Sequence, residues 1–149
     1  MSNKISWNLS LPISIRHDEL RELGLELFSK VNKREFGFQL ESFACTQLKK
    51  SQCLIVENNF QCKLGEIDII ARDGQTLIFV EVRYRKQSSY GGAVASVDLR
   101  KQKKIIQTAS FYLQQKKLTN KVSCRFDVFA IEGSAERLSY NWIKNAFTA

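Results

Sequence analysis

The chain has 149 residues with one Pro and seven Gly, which predicts a single compact domain and argues against a long flexible linker. Its 23 Lys and Arg outnumber its 15 Asp and Glu, and the net charge of +8 favours a polyanionic partner such as nucleic acid. Neither a 20-residue apolar run nor an apolar N-terminal stretch occurs in the sequence. We therefore expect no membrane span, no signal peptide and a cytoplasmic location.

Cysteine and histidine are scattered through the sequence. No two of Cys45, Cys53, Cys62 and Cys124 form a Cys-x-x-Cys pair, and the only histidine, His17, is distant from all four. Structural zinc sites need clustered thiolates or imidazoles, so we expect free, buried thiols instead. A single histidine also argues against a histidine-based triad, which leaves carboxylates, lysine, arginine and cysteine for any catalysis.

The first 32 residues read differently from the rest. Asp18 is a candidate N-cap for a helix that reaches about Lys30, with leucines at positions 20, 23 and 27 on one stripe. We expect residues 1–32 to be an N-terminal, helical extension that packs on the main domain, residues 33–149, or on a second copy of the chain.

The main domain alternates between helical and strand patterns. A helix is predicted from Glu35 to Lys50, because Phe36, Leu40, Ala44 and Leu48 recur at four-residue steps. The predicted elements that follow are strands at Cys53–Phe60, Glu66–Arg72 and Thr76–Arg85, a helix at Val97–Lys117, a strand at Ser123–Ile131 and a short strand at Tyr140–Phe147. This order indicates an α/β sandwich around a mixed sheet.

The second and third predicted strands form a hairpin. Asp73-Gly74 is a strong signal for a type I′ turn, which would pair Arg72 with Gln75. In that register Asp68 lies opposite Phe79, and Asp68 and Glu81 are diagonal neighbours about 5–8 Å apart at their Cβ atoms. That spacing allows two carboxylates to share one metal ion.

Carboxylates on adjacent strands repel each other and need compensation. Alternation along the strands puts Glu66, Asp68, Glu81 and Arg83 on one side of the hairpin. Arginines such as Arg83 and Arg85 could supply the compensating charge, which would make the group a structural salt-bridge network. A bound cation could supply it instead, and hard oxygen ligands suit Mg²⁺ or Mn²⁺. The carboxylate pair alone leaves both readings open.

A strongly basic segment follows the hairpin. Between residues 99 and 125 there are eight Lys and Arg and no Asp or Glu. Four of these cations, Arg100, Lys101, Lys103 and Lys104, fall in the first turns of the predicted helix, where with Gln102 they are candidate contacts for a nucleic-acid backbone. A solvated, lysine-rich surface is the alternative interpretation.

Several strings of residues in the main domain resemble a known pattern. Gly65-Glu66-Ile67-Asp68 followed by Phe79-Val80-Glu81-Val82-Arg83 resembles the active-site motif of the PD-(D/E)xK nucleases, with twelve residues between Asp68 and Glu81. The chain more narrowly resembles the YraN family of uncharacterised bacterial proteins. The stretches that carry this resemblance are Gly37–Leu48, Gly65–Asp68, Phe79–Arg85, Tyr90-Gly91-Gly92, Lys101-Gln102 and Arg125-Phe126-Asp127-Val128.

The resemblance implies a restriction-endonuclease-like fold over residues 33–149, distantly similar to archaeal Holliday-junction resolvases. It also implies roles for individual residues: Asp68 and Glu81 as metal-binding carboxylates, and Glu41 as the helix glutamate that often completes such sites. Arg83 occupies the position where the nuclease pattern has lysine. Arginine stays protonated, so it cannot act as a base, although it can stabilise charge on phosphorus oxygens.

Three functional hypotheses follow. The first is a nuclease that uses Mg²⁺ or Mn²⁺, held by Asp68, Glu81 and Glu41, to hydrolyse DNA phosphodiester bonds, on branched or single-stranded structures in particular. The second is a DNA-binding protein that keeps the nuclease scaffold without turnover, for which Arg83 is the main support. The third is a scaffold protein that docks or dimerises through its N-terminal extension; a homodimer would also suit a junction substrate.

Overall fold

The computed structural model describes residues 13–15, 32–86, 92–134 and 137–149. The elements, in chain order, are β1 (Ile13–Ile15), α1 (Lys33–Lys50), β2 (Leu54–Cys62), β3 (Gly65–Asp73), β4 (Thr76–Arg85), α2 (Gly92–Ala95), α3 (Leu99–Gln115), β5 (Ser123–Ser134) and β6 (Arg137–Phe147). The predicted order of elements in the main domain is confirmed. The helix predicted from Asp18 to Lys30, and the loop residues Tyr90 and Gly91, lie outside the described residues.

One six-stranded sheet runs through the domain in the order β1-β6-β5-β4-β3-β2. Strands β4 and β5 are parallel, and the other neighbouring pairs are antiparallel. A parallel pair needs a crossover connection, and α2 and α3 supply it. The mixed sheet with helices on its faces confirms the predicted α/β, restriction-endonuclease-like sandwich. No helix in the described part of the chain is both long and apolar enough to cross a membrane.

The sheet edge contains a strand that the sequence patterns did not reveal. Ile13 pairs with Tyr140 and Ile15 pairs with Leu138, so three residues of the N-terminal segment extend the sheet beyond β6. Ile15 is buried, whereas Ile13 is exposed. Three residues are too few for strand periodicity to be recognised in a sequence.

A separate apolar core lies on each face of the sheet. On one face, Leu40, Ala44 and Leu48 of the predicted α1 stripe pack with Phe43, and Phe36 is only partly buried. On the other face, α3 packs through a stripe that contains Ile105, Ala109 and Tyr112. Strand β4 serves both cores by alternation: Phe79 belongs to the α3 core, and Val80 belongs to the α1 core. The site described below lies where the pairing of β3 with β4 ends, at the meeting of the α1 and α3 cores.

The predicted register of the hairpin is wrong by two residues. Asp73 pairs with Thr76 and Arg72 with Leu77, so Gly74 and Gln75 are the turn residues. A type I′ turn at Asp73-Gly74 would need positive φ at both residues, but Gly74 alone has it, at +61°. Asp73 instead stays in the strand and accepts hydrogen bonds from Arg125 and Lys144. A shift of two residues keeps every side chain on its face, so the predicted shared face of Glu81 and Arg83 survives the correction.

The prediction of buried thiols is confirmed for two of the four cysteines. Cys45 and Cys53 are buried, Cys62 is partly buried and Cys124 is exposed, and all four are free. Cys124 lies at the start of β5, where the strand has not yet entered the core. Burial therefore follows the position of each cysteine in its element, which the cysteine count cannot reveal.

Strand β5 also contains an ionic cluster. Arg125 donates two hydrogen bonds to the carboxylate of Asp127, at 2.8 and 2.9 Å. Asp127 is 0% exposed and also accepts hydrogen bonds from the Trp142 indole and the Asn145 backbone N–H, each at 2.9 Å. These contacts anchor β6 where its pairing with β5 is irregular, between Phe126 and Val128. Asp127 therefore has a structural role.

Replacing Gly92 with Ala is expected to lower the free energy of unfolding by about 2 kcal/mol. Gly92 has φ +68°, and a Cβ atom there would lie 1.9 Å from Oε1 of Glu132, the atom that accepts a hydrogen bond from the Ala93 N–H. Both the left-handed backbone and this hydrogen bond would be compromised. Gly74→Ala is the matched control, since φ is +61° there and a Cβ would meet nothing within 4 Å. Urea unfolding should show the larger loss for Gly92→Ala; equal losses would contradict the role of Glu132.

Candidate active site

The site begins where the pairing of β3 and β4 stops. The register runs from Asp73 and Thr76 to Ile69 and Val80, and its continuation would bring Asp68 directly opposite Glu81. At this point Oδ2 of Asp68 accepts a hydrogen bond of 2.8 Å from the Val82 backbone N–H. Where the ladder ends, the Asp68 carboxylate thus accepts the hydrogen bond of a backbone N–H. Asp68 and Glu81 are direct neighbours on the two adjacent strands.

Strand β3 rotates around Asp68. Ile67 packs in the α3 core and Ile69 in the α1 core, although residues two apart in a regular strand share a face. The neighbouring strand is irregular at the same level, because Asn59 of β2 has φ +53° between the paired residues Asn58 and Phe60. This local rotation gives the Asp68 side chain a direction that simple alternation does not predict.

Glu81 is the most enclosed acidic residue of the site, with 3% of its surface exposed. Its Oε1 atom lies 3.2 Å from Nε of Arg83 and 3.2 Å from Nζ of Lys101. The Arg83 contact is an ion pair by distance, but its geometry is not that of a hydrogen bond, so Arg83 Nε has no hydrogen-bond partner among the described residues. Oε2 of Glu81 likewise has none within the part of the chain that the structure describes.

Burial makes ionisation of this carboxylate pair costly. Desolvation, followed by the negative charge of Glu81, raises the pKa of Asp68 to about 8, and the Val82 N–H opposes the rise. Burial also raises the pKa of Glu81, although Lys101 and Arg83 act in the opposite direction. The two carboxylates therefore share a site that favours a proton or a cation.

Glu41 completes the acidic group from a different layer. It lies on α1, is partly buried, and interacts electrostatically with Asp68 of β3. Burial raises its pKa, while a hydrogen bond to the Asn59 side chain lowers it. Glu66 is exposed at the start of β3 and adds negative charge that acts on both Glu41 and Glu81. Acidic residues from α1, β3 and β4 thus act on one another electrostatically.

Two shallow grooves lie beside this acidic group and share Lys101 and Lys104 as a common wall. The first groove has a volume of about 330 Å³, and the described residues that line it are Gln61, Cys62, Gly65, Glu66, Lys101 and Lys104. The second groove has a volume of about 230 Å³, and its lining residues are Arg83, Ser96, Asp98, Arg100, Lys101 and Lys104. Asp68 and Glu81 are not among the lining residues, but Lys101, which lines both grooves, lies 3.2 Å from Glu81. A basic wall therefore lies next to the acidic centre, which is an arrangement suited to a phosphate-containing chain.

The remaining candidate residues differ in where they lie. Arg100 lines the second groove, and Lys103 is exposed on α3 outside the residues that line either groove. Arg85 is exposed at the last residue of β4, two positions beyond Arg83. Gln102 is only 4% exposed, and its side-chain amide donates a hydrogen bond of 3.0 Å to the Val97 carbonyl. The structure therefore does not bring Gln102 to the accessible surface of the site.

Sequence reasoning missed the contribution of Asn59. Its side chain contacts Glu41 and its left-handed backbone interrupts β2 beside Asp68. A usable signal was present, because the consecutive Asn58 and Asn59 fall inside a strand pattern, where asparagine is depleted. An asparagine with positive φ is typical of a bulge or bend, and such irregularities are frequent next to active sites.

The fold and the group of carboxylates define this chain as a restriction-endonuclease-like α/β protein with an acidic centre at the end of the β3–β4 hairpin. Residues 40–131 match the uncharacterised protein family UPF0102, the YraN family. The chain belongs to this family. The matched segment contains Glu41, Asp68, Glu81 and Lys101.

Relatives extend the match beyond that segment. The chain is similar to UPF0102 proteins of Pseudomonas syringae pv. tomato, with 42% identity over 126 residues, covering 81% of this chain and 98% of the relative. It is 44% identical over 117 residues to a UPF0102 protein of Alcanivorax borkumensis, covering 78% and 94%. For a UPF0102 protein of Legionella pneumophila the identity is 40% over 116 residues, covering 78% and 97%.

Proposed function

We propose that this protein is a metal-dependent nuclease that hydrolyses phosphodiester bonds of nucleic acid, DNA in the first place. The observation that carries the proposal is the neighbouring pair of enclosed carboxylates, Asp68 and Glu81, next to grooves walled by Lys101 and Lys104. Acidic residues at the centre suit a cation, and basic residues at the wall suit a phosphate backbone.

The donor set fits Mg²⁺ or Mn²⁺. Glu81 Oε2 is a buried oxygen without a hydrogen-bond partner, and burial raises the pKa of both carboxylates. In the described residues, no three His, Cys, Asp or Glu side chains form a group that could hold a metal ion by themselves. Mg²⁺ commonly binds through one or two carboxylates and takes its other ligands from water and substrate phosphates. Asp68 and Glu81 would hold the ion, with Glu41 nearby, and the ion would supply a Lewis acid for the phosphate.

The protein's own residues contribute binding and charge. Lys101, Lys104 and Arg100 would hold the backbone phosphates in the two grooves, and their contacts carry no base information. Selection would then depend on the shape of the substrate, such as a flap, a junction or a single-stranded end. Exposed Lys103 and Arg85 would add to the attraction at longer range.

A second candidate is nucleic-acid binding without hydrolysis. It is favoured by one observation: Arg83 stands in the lysine position, and Arg83 and Lys101 already neutralise Oε1 of Glu81. A site whose charges are balanced internally has less need of a cation. This reading predicts salt-dependent binding of DNA and no metal-dependent product on any substrate.

Cleavage of labelled nucleic acids by the purified full-length protein tests the proposal. The panel contains single-stranded, duplex, flap and four-way-junction DNA and a single-stranded RNA, each with Mg²⁺, Mn²⁺ or a chelator, and each with a parallel gel shift. We expect metal-dependent products, and a loss of about 100-fold or more in the Asp68→Asn, Glu81→Gln double variant. Binding without products would favour the second candidate.

The matched control for the double variant is Glu57→Gln. Glu57 is a partly exposed carboxylate on β2 that lies 3.6 Å from Lys116, and neither residue lines the grooves. We expect this variant to cleave like the unmodified protein. If the double variant and Glu57→Gln both cleave normally, the assigned site is wrong.

A further inference from the structure

In the part of the chain that the structure describes, two cations contact Glu81, and they differ in how they are placed. Arg83 Nε lies 3.2 Å from Glu81 Oε1 but makes no hydrogen bond to a described residue, and its side chain belongs to the same strand as Glu81. Lys101 Nζ is also 3.2 Å from Oε1, but it comes from α3 across the layer. The site therefore receives one cation from the strand and one from the helix.

Hydrogen bonds fix the backbone of Lys101 at the start of α3. Its backbone N–H donates a hydrogen bond of 2.8 Å to Oδ1 of Asp98, the N-cap of α3, and the next residue, Gln102, is bonded to the Val97 carbonyl. The first turn of α3 is thus fixed by side-chain contacts on both sides of the lysine. A fixed helix turn places the backbone of Lys101 within reach of Glu81, and its Nζ lies 3.2 Å from Oε1.

Lys101 is also the cation that both grooves share next to the acidic centre. Lys104 lines both grooves too, whereas Arg83 lines only the second. The Lys101 side chain is 26% exposed, against 4% for Glu81. An ammonium group has three N–H donors, so contact with Oε1 leaves donors for a phosphate oxygen on the accessible side. A nucleic-acid strand that followed the grooves would pass Lys101, whichever groove it entered first.

We propose that Lys101 of α3, and not the residue at position 83, is the site cation that contacts the phosphate of the bound strand next to Glu81. This inference rests on the proposed function: it assigns to a helix residue the place that the nuclease pattern gives to the lysine on the strand. Arg83 then has the secondary role of keeping Glu81 ionised from the other side.

In the hydrolysis itself Lys101 is not consumed. The oxygen of a water molecule bonds to phosphorus, and the bond from phosphorus to the leaving oxygen breaks. One proton of that water goes to solvent, and the leaving oxygen takes one proton, so no oxidant or reductant is needed. The ammonium group would stabilise the negative charge on the non-bridging oxygens as the new bond forms, which is an electrostatic contribution.

The test compares Lys101→Met, Arg83→Met and Lys50→Met. Methionine keeps an unbranched chain and removes the charge, and Lys50 is the matched control because it is exposed at the end of α1, outside both grooves. Binding of a fluorescent 12-nucleotide single strand is measured in a chelator over a range of salt. We expect Lys101→Met to weaken binding about tenfold and to reduce the salt slope by about 0.7, the value for one phosphate contact on single strands, and Lys101→Arg to restore both. The two other variants should change binding less than threefold.

Cleavage kinetics separate failure of this inference from failure of the proposed function. If the protein is a nuclease, Lys101→Met should lower kcat by about 100-fold and Arg83→Met by less than tenfold. If no variant cleaves and the unmodified protein does not either, the nuclease proposal fails, and the binding series alone decides the role of Lys101. Lys101→Met that binds like Lys50→Met, or Arg83→Met that binds or cleaves less well than Lys101→Met, overturns the inference. Urea unfolding of each variant shows whether it is folded, and Lys101→Arg keeps the test valid if Lys101→Met is not.

Discussion

Asp127→Ala is expected to lower the free energy of unfolding by about 3–5 kcal/mol, a large share of the stability of a domain of this size. The carboxylate is 0% exposed and accepts four hydrogen bonds, from Arg125, Trp142 and Asn145. Its removal leaves an indole N–H and a backbone N–H without their acceptor, and it leaves the largely enclosed Arg125 guanidinium with Asp73 alone. The measurement is urea unfolding followed by tryptophan fluorescence, to which both Trp142 and Trp7 contribute.

The matched control is Asp73→Ala. Asp73 contacts the same guanidinium, at 2.9 Å, and Lys144 at 3.0 Å, but 26% of its side chain is exposed. Arg125 and Lys144 hold the pKa of Asp73 below its usual range, and solvent screening limits what that interaction contributes. We expect a loss of about 1 kcal/mol or less. Equal losses in the two variants would contradict the view that burial of Asp127 makes it critical.

Asp68→Asn is expected to make the protein relatively more stable as the pH rises. The folded protein raises the pKa of Asp68 to about 8, whereas the unfolded chain has the ordinary value of 3.8. Folding therefore favours the protonated acid, so the stabilisation from that proton is complete below about pH 4 and is lost as the pH rises through 8. Asparagine stays neutral and retains an acceptor for the Val82 N–H. Between pH 5 and pH 9 the unmodified protein should lose on the order of 4 kcal/mol relative to the variant, which corresponds to about three pH units between pH 5 and the folded pKa.

Urea unfolding at pH 5, 7 and 9 in a chelator checks this expectation, and the difference between the two proteins removes the contribution of every other titrating group. Parallel stability profiles would show that Asp68 is not in an environment that disfavours its charge. Addition of Mn²⁺ at pH 8 extends the test, since a cation favours the ionised pair. It should stabilise the unmodified protein more than Asp68→Asn if the carboxylates hold the ion.

The two clusters behind these predictions differ in how completely their buried carboxylates are hydrogen-bonded. The Asp127 cluster pairs a fully buried carboxylate with an arginine and two neutral donors, and it leaves no carboxylate oxygen of Asp127 without a hydrogen bond. The centre at Asp68 and Glu81 leaves Oε2 of Glu81 without one and raises the pKa of both acids. Satisfied buried charges support a fold, whereas incompletely satisfied ones are concentrated at functional sites. The position of an aspartate in the sheet, in the β3–β4 pair for Asp68 and in the β5–β6 pair for Asp127, therefore decides which of these two roles it has.

The sequence by itself determined the order of the helices and strands, the α/β class and the face of β4 that carries Glu81 and Arg83. Those features depend on local periodicity, which can be recognised from the residues of each element alone. The four-residue steps of Leu40, Ala44 and Leu48 are an example. The motif strings also indicate Glu41, Asp68 and Glu81 as candidate site residues, although they give no distances between them.

Only the tertiary structure decided the register of the hairpin, the edge strand at Ile13–Ile15 and the partners of each charged group. Asp73 stays in its strand because Arg125 and Lys144, more than 50 residues away in sequence, bind it there. Lys101 reaches Glu81 because α3 crosses the sheet, while the neighbouring Gln102 turns inward to the Val97 carbonyl. Such contacts join residues that are distant along the chain, and their free energies depend on burial and distance, which residue type and spacing do not encode.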